Sequence, residues 1–203
     1  MSGNATARDS QMETLKNEIE NCRKCGLCKT RNRVIFGEGN PNAEIMLIGE
    51  APGGDEDRTG RPFIGRSGQL LDRILAACGF NREQHVFISN IVRCRPPGNR
   101  VPAEQEVRSC IPYLFRQIAL VDPKIIIPMG ATALKQLTED KSLRITRVRG
   151  QWLSWNNRLL MPVYHPAALL RNPGLKKDTW EDYKKVIYRY RQLVDAHHHS
   201  DHA

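Results

Sequence analysis

The sequence predicts an α/β fold, and three observations carry that expectation. Short apolar, β-branched runs occur at residues 45–48 (IMLI), 86–89 (VFIS) and 125–127 (III), the pattern of strands buried on both faces of a parallel sheet. Helical periodicity fills the stretches between them. The alternation of the two is the signature of layered α/β architecture.

Along the chain, residues 1–10 are small and polar and read as a disordered arm, residues 11–195 as a single domain, and residues 196–203 (AHHHSDHA) as a flexible tail. Leu70, Leu71, Ile74 and Leu75 share a helical face that ends before Gly79, a residue suited to a C-terminal stop. Residues 102–120 open with Pro102, Glu104 and Glu106, a favourable N-terminal turn for a second helix. Residues 151–163 read as two strands around Asn156-Asn157. Trp180, Tyr183, Ile187, Tyr190 and Val194 mark a final amphipathic helix. No internal repeat and no linker divides the core.

Lys and Arg number 31 against 22 Asp and Glu, a formal charge of +9. That excess favours a polyanionic partner, because phosphate neutralisation releases counterions. The first twenty residues lack the apolar run of a signal peptide, and no stretch approaches the roughly 18 apolar residues of a membrane span. A soluble, cytoplasmic protein is therefore expected. In such a reducing compartment the 6 cysteines point to metal or redox chemistry rather than a disulfide framework.

Three of those cysteines crowd into "CRKCGLC", residues 22–28. The Cys-x2-Cys spacing of Cys22 and Cys25 lets two thiolates face one metal centre, but two ligands do not close a site. Further along, Cys94 follows a strand in "NIVRCRPP" and Cys110 lies in "EVRSCIP". Cys78, in "ILAACGF", sits on an apolar helical face and reads as a buried structural thiol. Cys28 can turn toward the cluster or away from it. Four thiolates suit tetrahedral zinc and iron-sulfur alike, so spacing leaves both open.

Two strand ends carry the remaining candidates. The run "LIGEAPGGDEDRTGRPFIGRSGQLLD" leaves a buried strand through a glycine-rich loop, where α/β folds place ligands and where exposed amides can meet an anion. It lacks GxxxxGK followed by Ser or Thr, which argues against an NTPase. Asp55, Glu56 and Asp57 read as solvated acids rather than a magnesium site. At the other strand end, "MPVYHPAALLRNPG" sets His165 before Pro166, better placed for catalysis than His85 or the tail histidines His197, His198, His199 and His202.

Taken together, Cys-x2-Cys, "GEAPGGDEDRTGRPFIGRSGQLLD", "NIVRCRPPGNR", the second cysteine pair and "HPAALLRNP" resemble family 4 uracil-DNA glycosylases, the iron-sulfur type, over about residues 15–190. The resemblance implies a three-layer α/β/α fold with a central, mainly parallel four-stranded sheet. It also implies a 4Fe-4S cluster on Cys22, Cys25, Cys94 and Cys110, leaving Cys28 and Cys78 over. A related branch that attaches covalently to uracil-DNA carries GEQPG and a basic insertion; this chain reads GEAPG and runs straight from "CRPPGNR" to "VPAEQE", so it is similar to the hydrolytic branch.

The resemblance further implies that deoxyuridine is flipped out of DNA and its N-glycosidic bond hydrolysed, leaving an abasic site for base excision repair. Phe63 would stack on uracil, and the Asn90 amide would donate to O4 and accept from N3–H. Main-chain groups of Gly49, Glu50 and Ala51 would complete the cradle, and Glu56 would crowd C5 against thymine's methyl group. His165 would stabilise charge developing at O2, and Glu50 would orient water, since Ala51 stands where other uracil glycosylases have Asp. Leu169, Leu170 and Arg171 occupy the position of a duplex wedge. Arg93, Arg95, Arg100, Arg147 and Arg149 are candidate phosphate contacts. The implied partners are uracil-containing DNA, single- or double-stranded, and downstream base excision repair proteins, with the protein acting as a monomer away from membranes. The rival reading is a non-catalytic, zinc-stabilised nucleic-acid-binding module, which leaves Phe63, Asn90 and His165 without a role.

Overall fold

The computed structural model describes residues 3–201, so His202 falls outside it. At its centre is a 6-stranded sheet in the order β1-β3-β2-β4-β6-β5. Strands β2 (Ile45–Gly49), β3 (Val86–Asn90), β4 (Ile125–Pro128) and β6 (Arg158–Leu160) run parallel. These are the expected four. Two short antiparallel strands extend the edges: β1 (Glu38–Gly39) on β3, and β5 (Leu153–Trp155) on β6. The β5–β6 hairpin turns at Asn156 and Asn157, whose φ angles of 46° and 60° are those of a type I′ turn.

Alternation along the strands builds the layers. Ile45, Leu47, Val86, Ile88 and Ile127 face one side, where they pack with Leu71 and Leu75 of α3 (Arg66–Ala77) and Tyr183 and Ile187 of α8 (Leu175–Leu193). Met46, Ile48, Phe87 and Ile126 face the other, against Val107, Leu114 and Ile118 of α4 (Glu104–Val121) and Leu137 of α5 (Ala131–Thr138). The sheet is thus covered on both faces, as near-continuous apolar strands require. Three short helices, α2 (Gly54–Thr59), α6 (Ile145–Val148) and α7 (Pro166–Arg171), sit in connections.

Both termini depart from expectation. A helix, α1, runs from Gly3 to Glu20, through most of the segment read as a disordered arm. Its buried residues Leu15 and Ile19 pack on Tyr113 of α4, which anchors a helix whose early turns carry no apolar signal. The C-terminal segment is not loose either. His198 stacks on Phe80 with ring centroids 4.5 Å apart, its Nε2 lies 2.9 Å from the Cys78 carbonyl oxygen, and Ser200 Oγ donates to the Ala77 carbonyl at 3.1 Å. Gly79 permits this docking. Its φ is +76°, and a Cβ there would stand 1.9 Å from the His199 carbonyl oxygen.

Candidate active site

The C-terminal ends of the parallel strands open into a cleft of about 500 Å³. That is the size of a small-molecule site at the place where α/β sheets present ligands. Glu50, Ala51, Glu56, Phe63, Asn90 and His165 all line it, bringing together residues from four separate stretches of chain. Gly49 sits just behind: a Cβ there would lie 2.4 Å from Asn90 Oδ1 and 2.6 Å from Phe63 Cζ. Only glycine lets the Phe63 ring and the Asn90 amide approach this closely.

Phe63 is held by its backbone. Its φ of 51° is unusual for an aromatic residue, and two contacts fix it there. The Arg82 guanidinium donates to the carbonyls of Pro62 and Phe63 while pairing with Asp72 at 2.7 Å. Gly68 meets the same carbonyl from below, where a Cβ would come within 1.7 Å. Glu56 organises the loop as well: Oε1 accepts from the amides of Ile64 (3.0 Å) and Gly65 (2.9 Å), and Oε2 from Gly53 (3.0 Å).

Asn90 ends β3 and is 2% exposed. Its Oδ1 is buried and has no hydrogen-bond partner. An unpaired buried acceptor costs about 1–3 kcal/mol, so a ligand donor that meets it gains accordingly.

His165 is the N-cap of α7, its Nδ1 accepting from the Ala167 amide at 3.1 Å. That bond assigns the proton to Nε2, making a neutral donor of the ring. Burial, with the nearby Arg171 charge, pulls its pKa down from 6.5 to about 4, although the residue as a whole is only partly buried and lines the cleft. Its ring centroid lies 5.6 Å from that of Phe63. Gly130 follows β4 at φ +91°, and a Cβ there would stand 3.1 Å from His165 Cβ.

Several expected roles change. Leu169 is 1% exposed and packs inside the protein, so it does not serve as a duplex wedge. Helix α7 packs chiefly against α3 and also meets α8. Leu170 is partly buried and stands off the cleft, whereas Arg171 is exposed and lines it. Arg93 is 1% exposed, and Arg149 is engaged with Asp182 at 2.6 Å and Asp178 at 3.5 Å, which removes both from the candidate phosphate contacts. Arg100 stands at the cleft in a bidentate pair with Glu106 at 2.9 and 2.6 Å. Arg95 donates from Nε to Asn99, and Arg147 is exposed. Asp57 is buried and accepts from Asn32 and Arg33, tying α2 to the segment after the first cysteines. Ser67, Thr132 and Tyr164 also line the cleft; Ser67 and Tyr164 fall inside the two strand-end runs but carried no expected role, and Thr132 falls outside every motif.

Away from the cleft, Cys22, Cys25, Cys94 and Cys110 line one small cavity. All six cysteines are free thiols. Sulfur-directed donors surround the cavity: Arg31 Nη1 to Cys94 Sγ at 3.2 Å, the Arg93 amide to Cys110 Sγ at 3.3 Å, and Tyr113 Oη to Cys22 Sγ at 3.8 Å. Burial pushes the thiol pKa values of Cys25 and Cys110 up and that of Cys94 to about 11. As the side chains stand, no group of three Cys, His, Asp or Glu among the described residues forms a ready coordination set. Cys28 does not line the cavity, and Cys78 is fully buried elsewhere, its pKa raised to about 12.

Residues 36–186 match the family model of the Uracil DNA glycosylase superfamily. The type-4 uracil-DNA glycosylase of Sulfurisphaera tokodaii is 45% identical over 183 residues, covering 86% of this chain and 83% of the relative. That of Thermotoga maritima is 41% identical, covering 88% of this chain and 94% of the relative. The type-5 enzyme of Thermus thermophilus is more distant, 32% identical over 80% of this chain and 81% of its own length. The chain belongs to the uracil-DNA glycosylase superfamily, alongside its type-4 members.

Proposed function

We propose that the protein is a monofunctional uracil-DNA glycosylase whose cleft receives a flipped deoxyuridine and whose product is free uracil and an abasic site. The observation that carries this reading is Asn90 Oδ1, a buried acceptor without a partner beside the Phe63 ring. Uracil fits it: N3–H donates to Oδ1, Nδ2 donates to O4, and the Phe63 ring takes the base face. Cytosine presents the reversed edge and leaves both amide groups unmet.

The bond between C1′ and N1 breaks with its electron pair leaving on uracil. Negative charge then develops at O2, within reach of a fixed Nε2–H donor on neutral His165. Glu50 is the carboxylate that orients water, whose oxygen bonds to C1′ while its proton passes by way of that carboxylate to the departing uracil anion, giving free uracil. Glu56 works through the loop it ties together. Arg171 at the cleft edge, with Leu170 behind it, takes the wedge position, and Arg95, Arg100 and Arg147 meet phosphates nearby.

The cysteine cavity suits a four-thiolate group: donors stand at three of its sulfurs, and two arginines line it. A metal centre deprotonates such thiols outright, whatever burial does to their free pKa. By its resemblance to the iron-sulfur type, we assign a 4Fe-4S cluster, which would cross-brace the segment after α1 to the segment after β3 and to α4.

Incubation with a uracil-containing oligonucleotide, then alkali, tests the activity against a thymine control. Strand breaks confined to uracil support it. Absence of a break at uracil, or a colourless protein that binds DNA and contains one zinc, supports the non-catalytic module instead.

A further inference from the structure

Arg93 is 1% exposed, and a guanidinium this deep needs compensation for its lost hydration. Its side-chain hydrogen-bond partners are both neutral: Nη1 donates to the Asn90 carbonyl and Nη2 to Gln117 Oε1, while Nε has no acceptor. Gln117, itself fully buried, also accepts from Ser89 Oγ at 2.9 Å and donates from Nε2 to the Phe36 carbonyl at 2.8 Å. On its other side Arg93 lines the cysteine cavity beside Cys22, Cys25, Cys94 and Cys110, and its backbone amide donates to Cys110 Sγ at 3.3 Å. One buried cation therefore stands between the proposed cluster and the strand end that reads the base.

We propose that Arg93 is a positioning residue that couples the cysteine-bound group to uracil recognition, taking that anionic group as its counter-ion and holding the Asn90 carbonyl in place. The inference rests on the proposed cluster and on Asn90 as the base reader. Four thiolates outweigh the positive charge of either an iron-sulfur core or zinc, so the filled cavity presents the anion Arg93 lacks among its side-chain partners. With that anion in place, the planar fork bridges Asn90 of β3 and Gln117 of α4, fixing the backbone from which the Asn90 amide projects. Without it, an uncompensated buried cation works against the same backbone position.

The test compares wild type, Arg93→Met and Arg93→Lys, all purified anaerobically. Iron release to a chelator is followed by absorbance, and binding is measured to an oligonucleotide carrying non-cleavable 2′-fluorodeoxyuridine and to its thymidine counterpart. Arg93→Met should release iron roughly 10- to 100-fold faster, and its loaded fraction should lose affinity for the fluorodeoxyuridine strand by a comparable factor with thymidine binding unchanged. Arg93→Lys should keep the slow iron release, since it keeps the charge, yet still bind the uracil strand more weakly because a point charge cannot bridge both acceptors. Wild-type iron release and uracil binding in Arg93→Met would overturn the proposal, as would fast release with unaltered uracil binding. If Arg93→Met does not fold, Arg93→Lys decides: wild-type affinity for the uracil strand overturns it. Wild-type metal content and excision report separately on the underlying reading. A zinc-containing wild type corrects the metal, and release of zinc to a colorimetric chelator then takes the place of iron release in the Arg93 comparison; a wild type inactive on uracil corrects the function.

Discussion

Replacing His165 by Ala separates catalysis from stability in a way the structure makes quantitative. The substitution removes the Nε2–H donor proposed for uracil O2. Loss of one preorganised donor to a developing oxyanion costs about 10²- to 10³-fold in rate. It also removes the α7 cap, because Nδ1 no longer accepts from Ala167, and a lost cap costs about 1 kcal/mol. For a chain of this size that lowers Tm by roughly 2–4 °C, too little to unfold the enzyme at assay temperature. The assay is single-turnover excision from a uracil oligonucleotide between pH 4.5 and 9, beside thermal unfolding. With a pKa of about 4, His165 is neutral over all but the acid end of that range, so the wild-type rate should show no His165-dependent inflection near 6.5. Between pH 6.5 and about 4 the unfolded chain binds the extra proton, so the stability contributed by neutral His165 is full above pH 6.5 and declines as pH falls toward 4. A His165→Ala rate within about threefold of wild type would refute the donor role. So would a wild-type inflection near 6.5 that disappears in the variant, which would mean a cationic catalyst.

Other substitutions report on other parts. Gly49→Ala places a methyl 2.4 Å from Asn90 Oδ1, so it should raise KM for uracil-DNA strongly while the fold persists; an unchanged KM would contradict the close-packed slot. Gly68→Ala forces a Cβ to within 1.7 Å of the Phe63 carbonyl and should destabilise by about 1–3 kcal/mol or more, read as a lower midpoint in denaturant. If the proposed 4Fe-4S cluster fills the cavity, the protein should be brown and absorb near 400 nm; Cys25→Ser should lose both properties, whereas Cys28→Ser should keep them, since Cys28 stands off the cavity. Affinity for DNA should fall with salt, and Arg147→Ala should make that slope shallower by about one without changing the preference for uracil over thymine.

How far the sequence foretold this arrangement depended on whether the deciding interaction was local. The runs at 45–48, 86–89 and 125–127 were legible because strands buried on both faces must be apolar throughout. The β5–β6 hairpin was legible because two adjacent asparagines tolerate positive φ. His165 stood out as a polar residue closing an apolar run, whereas Asn90 was marked only by the resemblance to iron-sulfur-type uracil-DNA glycosylases. Leu169 and Arg93 did not declare themselves: the face of α7 that packs on α3, and the depth at which the chain passes Arg93, are set by elements distant in sequence. Glu56 resembled a solvated acid, yet its carboxylate closes a loop nine residues long, an outcome that only the fold supplies. The C-terminal histidines looked like a tail because the surface that receives His198, built from Phe80, His85 and Tyr190, comes from two separate parts of the chain.

Uracil recognition is proposed to rest on the buried Asn90 amide. Single-turnover excision by Asn90→Ala beside wild type, on matched uracil and thymine oligonucleotides, tests it most directly. Because a site built to hydrogen-bond its substrate loses heavily when that bond is deleted, uracil excision should drop by at least about 10²-fold, with the protein folded and its absorption near 400 nm intact. Uracil excision at the wild-type rate by folded Asn90→Ala would contradict the account.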